Sequence, residues 1–349
     1  MFFLFYFFSC FLFFNFAHSE SLNKNIYKVN NIENLKLFKK LLMCKKSIKV
    51  TDFREDFVLK QNTAIQITRK FEMNGSDYYM LIDSNTLKLF ITEVSTIETS
   101  QCIFQDDHLD TKLKSVLSKH RESVIQSIDK NFDKKSDKIK FALTIDMCPS
   151  IKGKFEKDDL FNWLVGLSKK HQNYPIPISI AITKKWITSH LSEFRELLQM
   201  QESGRLKITW VNHSATHPLN ENKSKKILFL TAENVNFEEE ILRVEKTLLE
   251  YNQMPSIFFR FPGLVYNKDL LHKLNDMSLI ALDSNAWIAK KQPIKNNSIV
   301  LLHGNGNEHY GVVKFKKEIS NLNKAKRFNI FSFIDISSVF MPTPYNSHS

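Results

Sequence analysis

From Lys140 onward, short apolar runs alternate with stretches of helical periodicity, and no other feature limits the fold of this 349-residue chain so tightly. The spacing predicts strands over Phe141 to Ile145, Ile178 to Ile182, Leu206 to Val211, Ile257 to Phe261, Leu279 to Leu282, Ile299 to Leu302 and Ile330 to Ile334. Between them it predicts helices over Lys157 to Gln172, Ile187 to Met200, Phe237 to Tyr251 and Lys268 to Asn275. Strands joined by crossover helices pair in parallel, so this part of the chain reads as α/β. Most of its chemically interesting polar residues stand just after a strand's C-terminal end, where α/β barrels build their active sites. No internal repeat is evident.

The N-terminal part has a different grammar. Residues 1–16 are apolar apart from Ser9 and Asn15, and they precede Ala17-His18-Ser19, with small residues at the two positions a signal peptidase reads. Such a run falls short of the roughly 20 residues that span a bilayer comfortably. Residues 1–19 are therefore expected to be an export leader, placing the protein in a periplasm, a cell envelope or the medium; because a basic n-region is missing, an uncleaved anchor is the other reading. No other stretch is apolar enough to cross a membrane. Removal of the leader leaves Cys44, Cys102 and Cys148. In an oxidising compartment Cys44 and Cys102 are the natural disulfide candidates, with Cys148 a buried thiol, although sequence alone leaves the connectivity open.

Asn30 to Cys44 reads as a short helix, followed by β-rich runs at Phe57-Val58-Leu59, Ala64 to Phe71, Tyr78 to Ile82 and Leu87 to Ile91. Turn-forming groups such as Asn74-Gly75-Ser76-Asp77 separate them, as in an antiparallel meander. Leu113, Val116, Leu117, His120, Val124, Ile128 and Phe132 then recur at helical steps, which predicts an amphipathic helix with His120 as a structural or surface residue. The charged stretch Asn131 to Lys140 marks a boundary. Residues 20–135 are thus expected to form a small α+β module, one with no recognisable chemistry of its own and open to an adaptor role.

Hydrophobic residues make up 43% of the chain, ample for a packed core, and 49 Lys and Arg against 37 Asp and Glu give a net charge of +12. That balance favours anionic neighbours such as envelope polymers or lipid head groups. The basic residues are spread along the chain without a dense run interleaved with aromatics, so no nucleic-acid partner is expected.

Behind the run Leu206 to Val211 stands Asn212-His213-Ser214-Ala215-Thr216-His217-Pro218. If the chain turns helically there, two imidazoles four residues apart share a face and can bind one metal ion. The other strand ends read Leu143-Thr144-Ile145-Asp146-Met147-Cys148-Pro149, Phe259-Arg260-Phe261-Pro262-Gly263, Leu282-Asp283-Ser284-Asn285-Ala286-Trp287 and Val300-Leu301-Leu302-His303-Gly304. Taken singly, each polar residue has a plainer reading: a turn cap for Asp146, a surface ion pair for Arg260, a satisfied turn residue for His303.

In this order and spacing the five motifs resemble polysaccharide deacetylases of the NodB-like type, carbohydrate esterase family 4, over about residues 141–340, which implies a domain spanning residues 138–345. The resemblance implies a deformed (β/α) barrel, a divalent metal, most simply Zn²⁺, and an N-acetylated polysaccharide or oligosaccharide as substrate. It further implies His213 and His217 as metal ligands, Asp146 as general base, Arg260 as that aspartate's charge partner and His303 as general acid. Asp283 would tune His303; Pro262, Leu302 and Trp287 would line the substrate site, with Leu302 walling the acetyl pocket and Trp287 stacking on a sugar ring. The chemistry needs a Lewis acid, a base for the attacking water and an acid for the departing amine.

Two positions depart from that family's pattern. Met147 stands where a second, metal-binding aspartate is usual, and a thioether is a poor ligand for Zn²⁺. The metal would then be held by two histidines and water, by Asp146 drawn into its shell, or by the Cys148 thiolate. Ala286 stands where an aspartate usually precedes the tryptophan. A catalytically silent, glycan-binding barrel is the alternative reading.

Overall fold

The computed structural model describes residues 26–35, 41–105, 110–129, 138–150, 154–169, 175–219, 229–325 and 331–340. Its first sheet contains β1 (Val29–Asn34), β2 (Leu41–Cys44), β3 (Ile48–Thr51), β4 (Asp56–Leu59), β5 (Ile65–Met73), β6 (Ser76–Asp83), β7 (Leu89–Glu93) and β8 (Cys102–Gln105). The order is β4-β3-β7-β6-β5-β2-β8, with β1 beside β5, and all pairs are antiparallel. The expected meander is β5-β6-β7. Cys44 and Cys102 face each other across β2 and β8 and are joined by a disulfide, whereas Cys148 is free and buried.

Two expected helices in this region are corrected. Asn30 to Cys44 contributes β1 and β2, not a helix, because β1 pairs along β5 from Val29↔Met73 to Asn34↔Arg69 and residues 30–34 alternate between half-buried and exposed. Downstream, the helix Lys112–Lys119 stops at His120, and the apolar residues beyond it are used in extended form. Ile125 bridges Leu282, with Ile125 N–H donating to Ala281 at 2.8 Å, and Ser127 bridges Ser298. Apolar residues at helical spacing therefore serve two different backbones; Phe132 lies outside the described residues.

The second sheet contains β9 (Ile139–Met147), β10 (Ile176–Ile182), β11 (Leu206–Asn212), β12 (Pro255–Phe259), β13 (Ile280–Ala281), β14 (Ala286–Trp287), β15 (Ser298–His303) and β16 (Phe331–Phe333). All its pairs are parallel, in the order β13-β12-β11-β10-β9-β15-β14 with β16 beside β9, a curled half-barrel. Strand alternation divides its side chains. On β9, Phe141, Leu143, Ile145 and Met147 pack outward with helix residues such as Leu164, Phe194 and Phe315. Ala142 turns inward with Ala181, Val211 and Phe258. The inner space is filled from the N-terminal module by Ile82, Leu87, Leu113 and Val116, while residues 124–128 span the opening between β13 and β15. Each fully buried aliphatic side chain of this kind contributes roughly 1.5–3 kcal/mol.

The helices depart from expectation at their edges. Lys157–Asn162 is a wide π turn that passes into the α-helix Trp163–Ser168, and residues 170–172 lie outside the described set. Ile187 to Met200 is two helices, Lys184–Ser189 and Leu191–Glu202, broken at His190 (φ −135°, ψ 48°). The helices Phe237–Glu250 and Lys268–Asp276 fall close to their expected places. A further helix, His309–Ala325, follows the loop after β15, and its Val312, Phe315 and Ile319 are buried. Among the described residues no helix is long and apolar enough to cross a membrane, and the expected leader lies outside them.

Sheet and half-barrel share a buried polar seam. Arg69 on β5 meets Glu245 on the helix Phe237–Glu250 through two hydrogen bonds of 2.7 and 2.9 Å, both side chains being almost fully buried. Arg69 Nη1 also donates to Asn34 Oδ1 and to the Thr68 and Met277 carbonyls, and Gln66 Nε2 donates to Ser278 Oγ at 2.6 Å.

Candidate active site

The parallel register fixes what meets at the strand ends. His303 on β15 stands opposite Asp146 on β9, Asn212 on β11 stands opposite Ile182 on β10 and Phe259 on β12, and the next residues, His213 and Arg260, extend from those ends. The two-histidine segment is not helical. Ser214 (φ 67°) and His217 (φ 50°) take left-handed conformations, so a loop, not a helix face, brings the imidazoles together. Asn212 Oδ1 accepts from Ser214 N–H at 3.0 Å, Ser214 Oγ accepts from His217 N–H at 3.1 Å, and Glu240 accepts from both the N–H and the hydroxyl of Thr216 at 2.8 Å. The rings meet edge to face with centroids 5.0 Å apart, and Phe229 supports His217 from its other side at 5.1 Å. Gly263 (φ 61°) makes room for that phenyl ring, which a Cβ there would strike.

Alternation along β9 explains the neighbouring positions. Asp146 turns into the cleft, Met147 turns into the outer core with no exposure, and Cys148 comes back into the cleft. Met147 Sδ lies where a Cβ on Gly304 would come within 2.8 Å, which gives Gly304 its place after His303. The Cys148 backbone is clamped by buried Asn305, whose Nδ2 donates to the Cys148 carbonyl at 2.7 Å.

The donor atoms suit a metal ion. A backbone carbonyl can only accept, so the 2.8 Å contact of His213 Nδ1 with the Arg260 carbonyl puts the ring proton on Nδ1. In the neutral ring this leaves Nε2 as a lone pair, the form a metal ligand needs. Burial, reinforced by the Arg260 charge, pushes His213 down to about 3, and burial with His213 nearby pushes His217 down to about 3, so both rings are neutral near pH 7. Cys148 Sγ lies 3.4 Å from His213 Nε2, and the ligand atoms of Cys148, His213 and His217 all lie within 4.8 Å of one another. Tetrahedral Zn–S and Zn–N bonds of about 2.3 and 2.0–2.1 Å place sulfur and nitrogen about 3.5 Å apart. Burial, then the charge of Asp146, pushes the free thiol upward, so Cys148 is a protonated thiol near pH 7 and would become a ligand by giving up that proton on metal binding.

Asp146 sits beside this trio. Its Oδ1 accepts from Arg260 Nη1 at 3.2 Å and its Oδ2 lies 3.9 Å from His213 Nε2. Arg260 is fully buried, and its Nη2 donates to Thr144 Oγ1 at 2.9 Å and to the Asp283 carbonyl at 3.4 Å. A buried, hydrogen-bonded guanidinium of this kind both offsets and aims a carboxylate.

The remaining residues fall differently. The Asp283 carboxylate accepts from Ser284 N–H at 2.6 Å and from Gln126, and it engages Tyr266, so its expected tuning of His303 is corrected. The carboxylate beside His303 is Glu308, 2.8 Å from Nδ1. Leu302 is corrected too: it belongs to the outer core with Ile145 and Val300, opposite to the face that carries His303. Pro262 is buried at the start of the turn Pro262–Leu264. Trp287 is half-buried and donates through Nε1 to Glu308 at 2.7 Å, with the Lys290 ammonium 3.4 Å over its ring. His309 is 54% exposed in its side chain and pairs with buried Glu156. Trp186 is a core residue and Trp163 packs against the same core. Asn305 and Glu308 carried no periodic signal, because a loop turn and not a strand or helix presents them.

No family model matches the chain. Its fold is similar to a family 4 carbohydrate esterase from Bacillus anthracis, at 18% identity and a TM-score of 0.42 over 65% of this chain and 90% of that one. A family 4 pseudoenzyme from Bacillus anthracis is similar at 17% identity and a TM-score of 0.41, over 63% and 69%. The chitin deacetylase of the fungal pathogen Colletotrichum lindemuthianum is similar at 14% identity and a TM-score of 0.42, over 64% and 94%.

Proposed function

We propose that the protein is a zinc-dependent deacetylase of the NodB-like type that hydrolyses N-acetyl groups of amino sugars in an envelope or extracellular polysaccharide. The observation that carries this reading is the convergence of two neutral imidazoles, a thiol and an arginine-held carboxylate at the C-terminal end of one parallel half-barrel. Cys148, His213 and His217 would hold the metal. Zinc, when bound there, supplies a Lewis acid that polarises the amide carbonyl and favours deprotonation of water. Asp146, fixed through Oδ1 by Arg260, takes the proton of the attacking water. His303, with Nδ1 turned to Glu308, has Nε2 left to protonate the departing amine as the C–N bond breaks and acetate forms. Leu301, on the His303 face of β15, would wall the acetyl pocket, and the exposed part of Trp287 would meet a sugar ring. Export is supported by the Cys44–Cys102 disulfide, since such bonds persist in oxidising compartments.

Acetate release from N-acetylated chitooligosaccharides and peptidoglycan fragments tests this reading. Turnover is expected with zinc-loaded protein, and His213→Ala is expected to lose both zinc and turnover. Zinc-loaded protein that binds these glycans without releasing acetate would make it a silent glycan-binding barrel.

A further inference from the structure

We propose that Glu308 is the positioning residue for His303, supplying from the loop behind β15 the carboxylate that the start of β14 lacks. This rests on the deacetylase reading for its catalytic meaning but not for its geometry. Ala286 is fully buried in the outer core, so its side chain does not point toward the cleft. Asp283 is committed to Ser284, Gln126 and Tyr266. His303 Nδ1 is buried and has no aligned hydrogen-bond partner, and the carboxylate beside it is Glu308, with Oε2 at 2.8 Å.

The same Oε2 accepts from Trp287 Nε1 at 2.7 Å, which fixes the carboxylate and joins Trp287 to His303, their rings 5.9 Å apart. Glu308 immediately precedes the helix His309–Ala325, with Gly311 N–H donating to its carbonyl at 2.8 Å. Asn305 accepts from Asn307 N–H while holding the Cys148 carbonyl, so one short loop fixes both the metal-side cysteine and the acid-side carboxylate. Burial pushes the Glu308 carboxyl up, but the adjoining His303 imidazole, the Trp287 hydrogen bond and the Lys290 charge together outweigh it and hold the group below the usual carboxylate range. Glu308 therefore stays ionised near neutral pH. A carboxylate on Nδ1 keeps that proton in place, aims Nε2 at the substrate and favours the imidazolium that donates to the amine. The other titratable groups near His303 are Asp146, opposite it across β9 and β15, and His213 and His217, while Lys290 acts on Glu308.

The test uses zinc-loaded full-length protein. Glu308→Gln keeps an acceptor for Trp287 and removes the charge. His303 ring protons, followed by NMR, are expected to titrate about one pH unit lower in this variant, with Glu308→Asp shifting them less in the same direction. On N-acetylated chitooligosaccharides Glu308→Gln is expected to lower kcat on the order of 100-fold with KM unchanged, and to move the alkaline limb of the kcat profile down by the same interval as the NMR titration. Unchanged His303 titration in either folded variant overturns the pairing, whatever the activity. A loss confined to KM overturns the role in proton donation. Wild-type inactivity with a shifted His303 titration would sink the deacetylase reading and leave the pairing standing.

Discussion

Met147→Asp separates a motif-based reading of the site from a structural one. By motif position an aspartate at 147 restores a missing metal ligand and tightens zinc binding. By structure it does the opposite, because the Met147 side chain has no exposure and packs among Ile145, Phe161 and the close approach of Gly304. Losing the buried methionine costs about 1.5–3 kcal/mol. A carboxylate placed there either takes up a proton or stays as an unpaired buried charge, adding a further cost on the order of 2 kcal/mol or more. At about 2–4 °C per kcal/mol for domains of 150–250 residues, Tm is expected to fall by on the order of 10 °C. Met147→Leu, a volume-conserving change, is expected to cost less than about 1.5 kcal/mol. Thermal unfolding followed by circular dichroism, with zinc content measured on the same samples, reads both effects. An aspartate variant that keeps the wild-type Tm and binds zinc more tightly would show that position 147 reaches the cleft, and the assignment of Cys148 would be refuted.

Other outcomes follow from single contacts. Glu245→Ala leaves the Arg69 guanidinium buried without its counter-charge and is expected to cost about 3–5 kcal/mol in urea unfolding, most of it recovered in the Arg69→Met, Glu245→Leu double variant. His213 and His217 titrate near 3 when folded and near 6.5 when unfolded, so between those pH values the unfolded state binds more protons. Metal-free protein should therefore hold this contribution fully above about pH 6.5 and lose it as the pH falls toward 3, with a flatter stability profile in His213→Gln; a wild-type profile with no slope there would contradict the neutral, buried rings. Asp146→Asn is expected to abolish acetate release while retaining zinc, and zinc loss in that variant would place Asp146 among the ligands.

The strands that carry the site were legible because each ends in an abrupt change from apolar to polar residues, and the parallel sheet places those ends together. The same periodic logic misled between Leu113 and Ile128, where apolar residues three and four apart serve first a helix and then an extended bridge to the barrel. At Met147 the signal is strand alternation: with Asp146 turned inward, β9 sends 147 outward and returns 148. Val312, Phe315 and Ile319 likewise carried helical spacing that the polar loop before them obscured. Glu308 was not legible, since its partners Trp287 and His303 become neighbours only through the fold.

The most direct test of the site is the absorption spectrum of the Co²⁺-substituted protein. A thiolate ligand gives a near-ultraviolet sulfur-to-cobalt charge-transfer band that imidazole and carboxylate ligands lack, so the band should appear in the wild type, vanish in Cys148→Ser and persist in Asp146→Asn. Stoichiometric Co²⁺ binding without that band, or a band that survives Cys148→Ser, would contradict the assignment of Cys148, His213 and His217 as the metal-binding set.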